Sequence, residues 1–315
     1  MKRKSKVLLV LIAVCAALLF TGTTALADGE VTLHVDPNAT YDGGSAPDRA
    51  DGAVYNTLSD AISKAIANDI IVIDDDMTIN DAVTINKSIV LDLGGNTLTI
   101  SSTVTEKGAL QFTAGESQLK NGQIIDERSY NNNTHSWQTV YVEDATLTTA
   151  DVTIQSYKPN TDAGYNYPIR VRAIDADAEL ILNDGTVIEE LANTNEENSY
   201  GTCGVTVLGS EDGSYNATLT VNSGVEITST TFAISGNGTT DNTDITINGG
   251  TITSLAGNVI YHPQVGNLTI NGGTLTGYSG VQFCGAGKLS ITGGTIHSTG
   301  DYTAFPTKPE EQSDG

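Results

Sequence analysis

The chain is poor in cysteine, tryptophan and positive charge: 3 Cys, 1 Trp and 15 Lys plus Arg in 315 residues, against 38 Asp plus Glu. Each scarcity excludes something. Cys203 and Cys284 stand 81 residues apart, with no Cys-x-x-Cys and no histidine at metal-ligand spacing. That excludes a disulfide-framed scaffold and a zinc ribbon. A net charge of −23 excludes non-specific binding to nucleic acid or anionic lipid. The same charge can attract calcium or a cationic polymer, although solubility alone also accounts for it. No cofactor or resident metal is expected. After residue 20 there is no apolar run of membrane-spanning length, so membrane insertion is not expected either.

The first 27 residues read as an export signal. Lys2, Arg3, Lys4 and Lys6 form a basic start, residues 7–20 are apolar, and Ala25-Leu26-Ala27 is a small-x-small cleavage site. Val14 is the wrong size to make Cys15 a lipoprotein acceptor. Cleavage after Ala27 predicts an extracellular or cell-surface product, and this leader fits a bacterial signal. Losing its four positive charges takes the net charge from −23 to −27.

What the chain does have is a phrase written three times: Asp244-Ile-Thr-Ile-Asn-Gly-Gly-Thr-Ile-Thr-Ser254, Asn267-Leu-Thr-Ile-Asn-Gly-Gly-Thr-Leu-Thr-Gly277 and Lys288-Leu-Ser-Ile-Thr-Gly-Gly-Thr-Ile-His-Ser298. Apolar residues alternate within each copy, which is the period of a strand with one buried face. The Asn-Gly-Gly between the halves tolerates left-handed backbone and marks a bend. Two short strands cannot bury their own apolar face, but stacked copies can. A period in the low twenties predicts one turn of a parallel solenoid. Further copies start at Ser88, Thr146, Glu179 and Thr218, with a looser one at Gln118, and each is followed by a third strand such as Val140-Tyr-Val142 or Ile169-Arg-Val171. The expected fold is all-β: a right-handed parallel β-helix of three strands per turn and about eight or nine turns. Asn183, Asn222, Asn248 and Asn271 recur at one bend, where their amides can bond from layer to layer.

Ahead of the strands, residues 28–56 read as a polar lead-in. A helix follows over 57–68, with Thr57 as N-cap and Leu58, Ala61, Ile62, Ala65 and Ile66 as its apolar stripe. It is expected to cap the open end of a β-helix domain spanning 57–305. Residues 306–315 read as a disordered tail, and no cap is evident at the C-terminal end. The cysteines fall about three layers apart, too far for a disulfide.

The stretch from Tyr55-Asn-Thr-Leu-Ser-Asp-Ala-Ile62 to Val90-Leu-Asp-Leu-Gly-Gly-Asn96 resembles the opening of pectate-lyase-like right-handed β-helices, and most of all the adhesive domains of bacterial surface proteins. With the repeats, the resemblance covers nearly all of the mature chain. It speaks to fold more than to activity, since such folds host lyases, hydrolases and adhesins alike.

Three adjacent turns carry long segments between second and third strands, Glu127 to Gln138, Tyr157 to Pro168 and Leu191 to Thr202. Leaving one corner, they should stack into a wall beside the third-strand face. His135, Trp137, Tyr165, Tyr167 and Tyr200 lie in them, with Tyr141, Arg170, Arg172 and Thr206 outward on the face. Aromatic rings stack on sugars, and arginine pairs with uronate carboxylates. The expected function is adhesin-like binding of an extracellular polysaccharide or a host or matrix surface by a monomer. The same residues also read as ordinary loop tyrosines, with the arginines paired to Glu143, Asp175 or Asp177. An enzyme of the resembled family, a polysaccharide lyase or hydrolase on a pectate-like polymer, is the alternative. As a lyase it would use Arg170 or Arg172 as base. The hydrolase set is incomplete: Asn242-Thr-Asp244 stands alone, far from Asp74-Asp-Asp76. His262 and His297 are expected at the surface. Outward threonines such as Thr220, Thr246 and Thr269 could form an ice-binding array, but Ile181 and Glu226 interrupt the rows.

Overall fold

The three glycine-rich phrases lie one above another in register. Ile245 pairs with Leu268 and Leu268 with Leu289, while Ile252 pairs with Leu275 and Leu275 with Ile296. The computed structural model describes residues 29–41, 44–128, 136–158, 165–192 and 202–300, with 136, 157–158, 165–166 and 191–192 described by backbone alone. The export signal, His135, Tyr200 and the tail 306–315 lie outside the described residues. The fold is a parallel β-helix.

Three stacks of strands run its length. The first begins with Thr32–Val35, Ile70–Ile73 and Val90–Asp92 and ends with Gly266–Ile270 and Leu289–Ile291. The second runs from Met77–Ile79 and Thr97–Ile100 to Thr274–Gly277 and Thr295–Ser298. The third is an 8-stranded sheet from Val83–Ile85 to Ser279–Phe283. Three strands per turn and eight complete turns follow among the described residues, with Leu289–Ile291 and Thr295–Ser298 beginning a ninth, as the repeat spacing predicts. Glu116–Asp126 and Thr146–Lys158 run unbroken through the bend between the first two stacks. Asn121 and Asp151 turn that corner with φ of 58° and 49°.

The period-two pattern decides what is inside. Leu268, Ile270 and Leu275 are 0% exposed because a coil lies on either side of each. Complete burial of such a side chain contributes about 1.5–3 kcal/mol. At the predicted bend, Gly250, Gly273 and Gly294 have φ of 87°, 91° and 87°. A Cβ on Gly273 would sit 2.9 Å from the Gly249 carbonyl oxygen of the coil below, so both backbone angle and space require glycine there. Beside it the asparagine ladder forms as expected. Asn222 Nδ2 donates to Asn183 Oδ1 at 2.8 Å, Asn248 to Asn222 at 3.0 Å and Asn271 to Asn248 at 3.0 Å, and Thr292 Oγ1 closes the series on Asn271 at 2.8 Å.

The N-terminal end is closed by a helix, which is shorter than expected: Leu58–Lys64 rather than 57–68. Thr57 Oγ1 accepts from Asp60 N at 3.1 Å, as the capping pattern predicts. The helix stops because tertiary partners take over its C-terminal groups. Ala65 is already extended (ψ 147°), and Lys87 Nζ donates to the Ile62 and Ala65 carbonyls at 2.9 Å. Leu58, Ala61 and Ile62 are buried over the first coil, whereas Ile66, expected on the stripe, is 40% exposed. The lead-in is part of the architecture: Thr32–Val35 pairs with Ile70–Ile73 on one side and with Val54–Tyr55 on the other. Arg49 grips the buried Asp69 through Nε at 2.7 Å and Nη2 at 2.6 Å, and Asp69 also accepts from the Ile66 and Val31 amides.

No described residue covers the C-terminal end in this way. Leu289, Ile291 and Ile296 continue the columns of interior residues, yet they are 41%, 52% and 37% exposed.

Candidate functional site

On the third stack Leu110, Val140, Ile169 and Val205 point inward and are fully buried. Residues one step along therefore face out, and the register aligns them in one row: Gln111, Tyr141, Arg170, Thr206, Ser235, Tyr261 and Gln282. Gly108 makes room in this row. A Cβ there would come within 2.9 Å of the Tyr141 Cβ and the Gln111 Cγ, so any side chain would displace the tyrosine.

Three of the expected binding residues meet at the middle of the row. The Tyr141 hydroxyl donates to Glu143. Burial, then that carboxylate, raises its pKa above the ordinary phenol value, so it remains a neutral donor. The Arg170 guanidinium lies 4.7 Å over the Tyr167 ring, a cation–π stack. Its Nε is buried without a hydrogen-bond partner, as is the neighbouring Thr206 Oγ1. Burial lowers the Arg170 pKa, partly opposed by Tyr167 and Tyr141. Arg172 pairs across the strands with Glu143 in the register and meets Glu211 at 3.5 Å, with 33% and 74% of the two side chains exposed. Such a pair contributes little. Neither Asp175 nor Asp177 partners an arginine among the described ion pairs. Cys203 is buried beside this group, and desolvation pushes its thiol up to about 12, so it is not a thiolate nucleophile.

Trp137 does not stand on an open wall. The strand Ser136–Glu143 starts earlier than expected, placing Trp137 within the sheet, where it is 3% exposed. Arg128 stacks 4.8 Å over its ring. Tyr165 and Tyr167 likewise lie on the strand Tyr165–Arg172 rather than in a loop, and Tyr165 is described by backbone alone. His262 is another correction: it is fully buried and stacks 4.9 Å from Phe283 instead of lying at the surface, and burial lowers its pKa so that it is neutral. His297 is exposed, as expected.

Sequence reasoning missed a polar column inside the solenoid. Asp126, Ser156 and Glu190 pair in register at the end of the second stack, and Ser229 and Ser254 continue it. All five are buried. Arg128 neutralises Asp126 through Nε at 2.8 Å and Nη2 at 2.6 Å, and donates to the Gln138 carbonyl at 2.8 Å. Glu190 Oε2 accepts from Ser229 Oγ at 3.0 Å and the Thr230 amide at 2.9 Å. The signal was present: each of these residues follows an inward isoleucine by two positions, where parity calls for an apolar side chain. Asp126 and Glu190 hold carboxylates at interior positions, which are costly unless bonded.

No group of three or more His, Cys, Asp or Glu among the described residues could hold a metal ion, and no helix there is long and apolar enough to cross a membrane. No family model matches the chain, and neither a curated protein nor a solved structure matches it.

Proposed function

We propose that this protein is exported and acts as an adhesin-like module of the pectate-lyase-like kind, binding an extracellular polysaccharide or a host or matrix surface along its third-stack face. One observation carries the reading. Arg170 is a cation on an outward row, stacked on an aromatic ring, with no anion partner among the described ion pairs of an otherwise acidic protein. A buried guanidinium nitrogen left unbonded is costly, and a carboxylate-bearing sugar would supply both charge and acceptors. Tyr167 and Tyr141 flank it with ring surface of the kind on which sugars stack. Arg172 stands at the open edge of the same face.

A glycan array is the test. Wild type should bind at least one uronate- or other acid-bearing glycan, Arg170→Ala should lose most of that signal, and Arg172→Ala should weaken it. No wild-type signal, or a signal indifferent to both substitutions, would remove the proposal. Trp137 is excluded from the set because it is buried.

The lowered pKa of Arg170 favours one rival, a polysaccharide lyase in which that residue takes the proton next to a uronate carboxylate. Incubation with polygalacturonate, with and without calcium, distinguishes the two. Unsaturated ends would establish the lyase, and their absence alongside binding would leave the adhesive module.

A further inference from the structure

The last coil raises a question the binding face does not answer. Leu289, Ile291 and Ile296 stack on Leu268, Ile270 and Leu275, which are fully buried, but nothing described covers their far side. Among the described residues, the strands Leu289–Ile291, Thr295–Ser298 and Ser279–Phe283 each have a neighbour on one side only. Such an end offers unpaired amide and carbonyl groups around an apolar centre, a ready template for another strand set.

The charge distribution says what fits there. The chain carries 38 acidic residues, yet residues 245–300 contain no Asp or Glu, and Lys288 is their sole Lys or Arg. Elsewhere two copies would repel one another through a net charge of −23. Within the described coils that repulsion is weakest at this end, although four acidic residues follow the last coil in sequence within 301–315, and depletion of charge is the compositional mark of an interface centre. The opposite end cannot serve, because the helix Leu58–Lys64 covers it. We infer that the open C-terminal end docks the same end of a second copy, the two last coils meeting about a two-fold axis. An isologous contact of this kind closes on itself and yields a dimer rather than a fibre. This departs from the monomer expected from sequence.

The contact is small. Strands of three to five residues rise about 3.3 Å per residue, so one coil's cross-section falls short of the ~800 Å² per partner of a standard interface. The dimer should therefore be concentration-dependent.

Sedimentation of the purified protein across a hundredfold range of concentration tests this. Wild type should move from the mass of one chain toward that of two, while Ile291→Lys and Leu289→Lys should remain single at every concentration. Circular dichroism serves as the check that both variants fold; Ile291 is half exposed, so the substitution is tolerated in the single chain. A spin label on the exposed Cys284, which follows the last strand of the third stack, adds a second readout, since Cys203 is buried and will not react. End-to-end pairing brings the two labels together and gives strong coupling between copies. A single chain at all concentrations would overturn the inference and point to residues 301–315 as the cover. So would a dimer that survives both lysine substitutions, or one without coupling at Cys284.

Discussion

The two ends of the solenoid solve the same problem differently. At the N-terminal end a seven-residue helix, a buried Asp69–Arg49 pair and Lys87 on the helix carbonyls close the first coil. At the C-terminal end the repeated phrase simply stops, with Leu289, Ile291 and Ile296 left partly exposed. Each rung is adequate as an interior layer and incomplete as an outer one. The difference teaches that the repeat supplies cohesion but not termination: a β-helix needs separate residues to end it.

The largest effect should come from the closed end. Asp69→Ala leaves Arg49 and two amides without their buried acceptor and should cost about 3–5 kcal/mol in chemical denaturation. Asp69 also sets an acid limit. Burial acts to raise its pKa, but the Arg49 hydrogen bonds and the Ile66 and Val31 amides outweigh it, so the folded value lies below the ordinary aspartate value of 3.8. Its contribution is then fully present above that value and is lost as pH falls through the folded pKa. Denaturation midpoints of wild type and Asp69→Ala should converge on acidification.

Next in size is a matched pair that compares the ends directly. Leu58→Ala, at a side chain 1% exposed, should cost about 2–5 kcal/mol. Ile291→Ala, at a side chain 52% exposed, should cost less than about 1 kcal/mol in the dilute single chain. Equal losses at the two sites would mean that the C-terminal end is covered as well.

The smallest effect belongs to neither end. Burial raises the pKa of Glu190 despite the hydrogen bonds from Thr230, Ser229 and Thr202. A raised folded value means that stability from this group is fully present below the unfolded pKa and is lost as pH rises through the folded one. Glu190→Gln should therefore gain on wild type as pH climbs above about 4.5, the ordinary value for a glutamate. A thermal-shift series from pH 4 to 8 reads the crossing, and parallel curves would contradict it.

Period and parity carried most of the fold. The spacing of Asp244, Asn267 and Lys288 set the stacking, and the asparagines at one offset set the ladder, because both depend only on what recurs from coil to coil. Parity also held information that was not used: His262 stands two residues after the inward Ile260, a position that faces the core. The candidate site was legible in its outward row but not in its exposure. Whether Trp137 is open or buried depends on where the strand Ser136–Glu143 starts and on Arg128 reaching across to it. Those contacts join segments of unequal length, and no repeat fixes them. Arg128 with Asp126 was hidden for the same reason, since a charged pair two residues apart reads as solvated surface until the coil above closes over it.

The claim that one end is closed and the other open is tested most directly by native-state hydrogen exchange, followed at single amides as protein concentration is varied. Ile70–Ile73 should be protected at every concentration. Leu289–Ile291 and Thr295–Ser298 should exchange fast when dilute and slow down as concentration rises. Uniform protection of both ends in dilute solution, unchanged on concentration, would contradict the account.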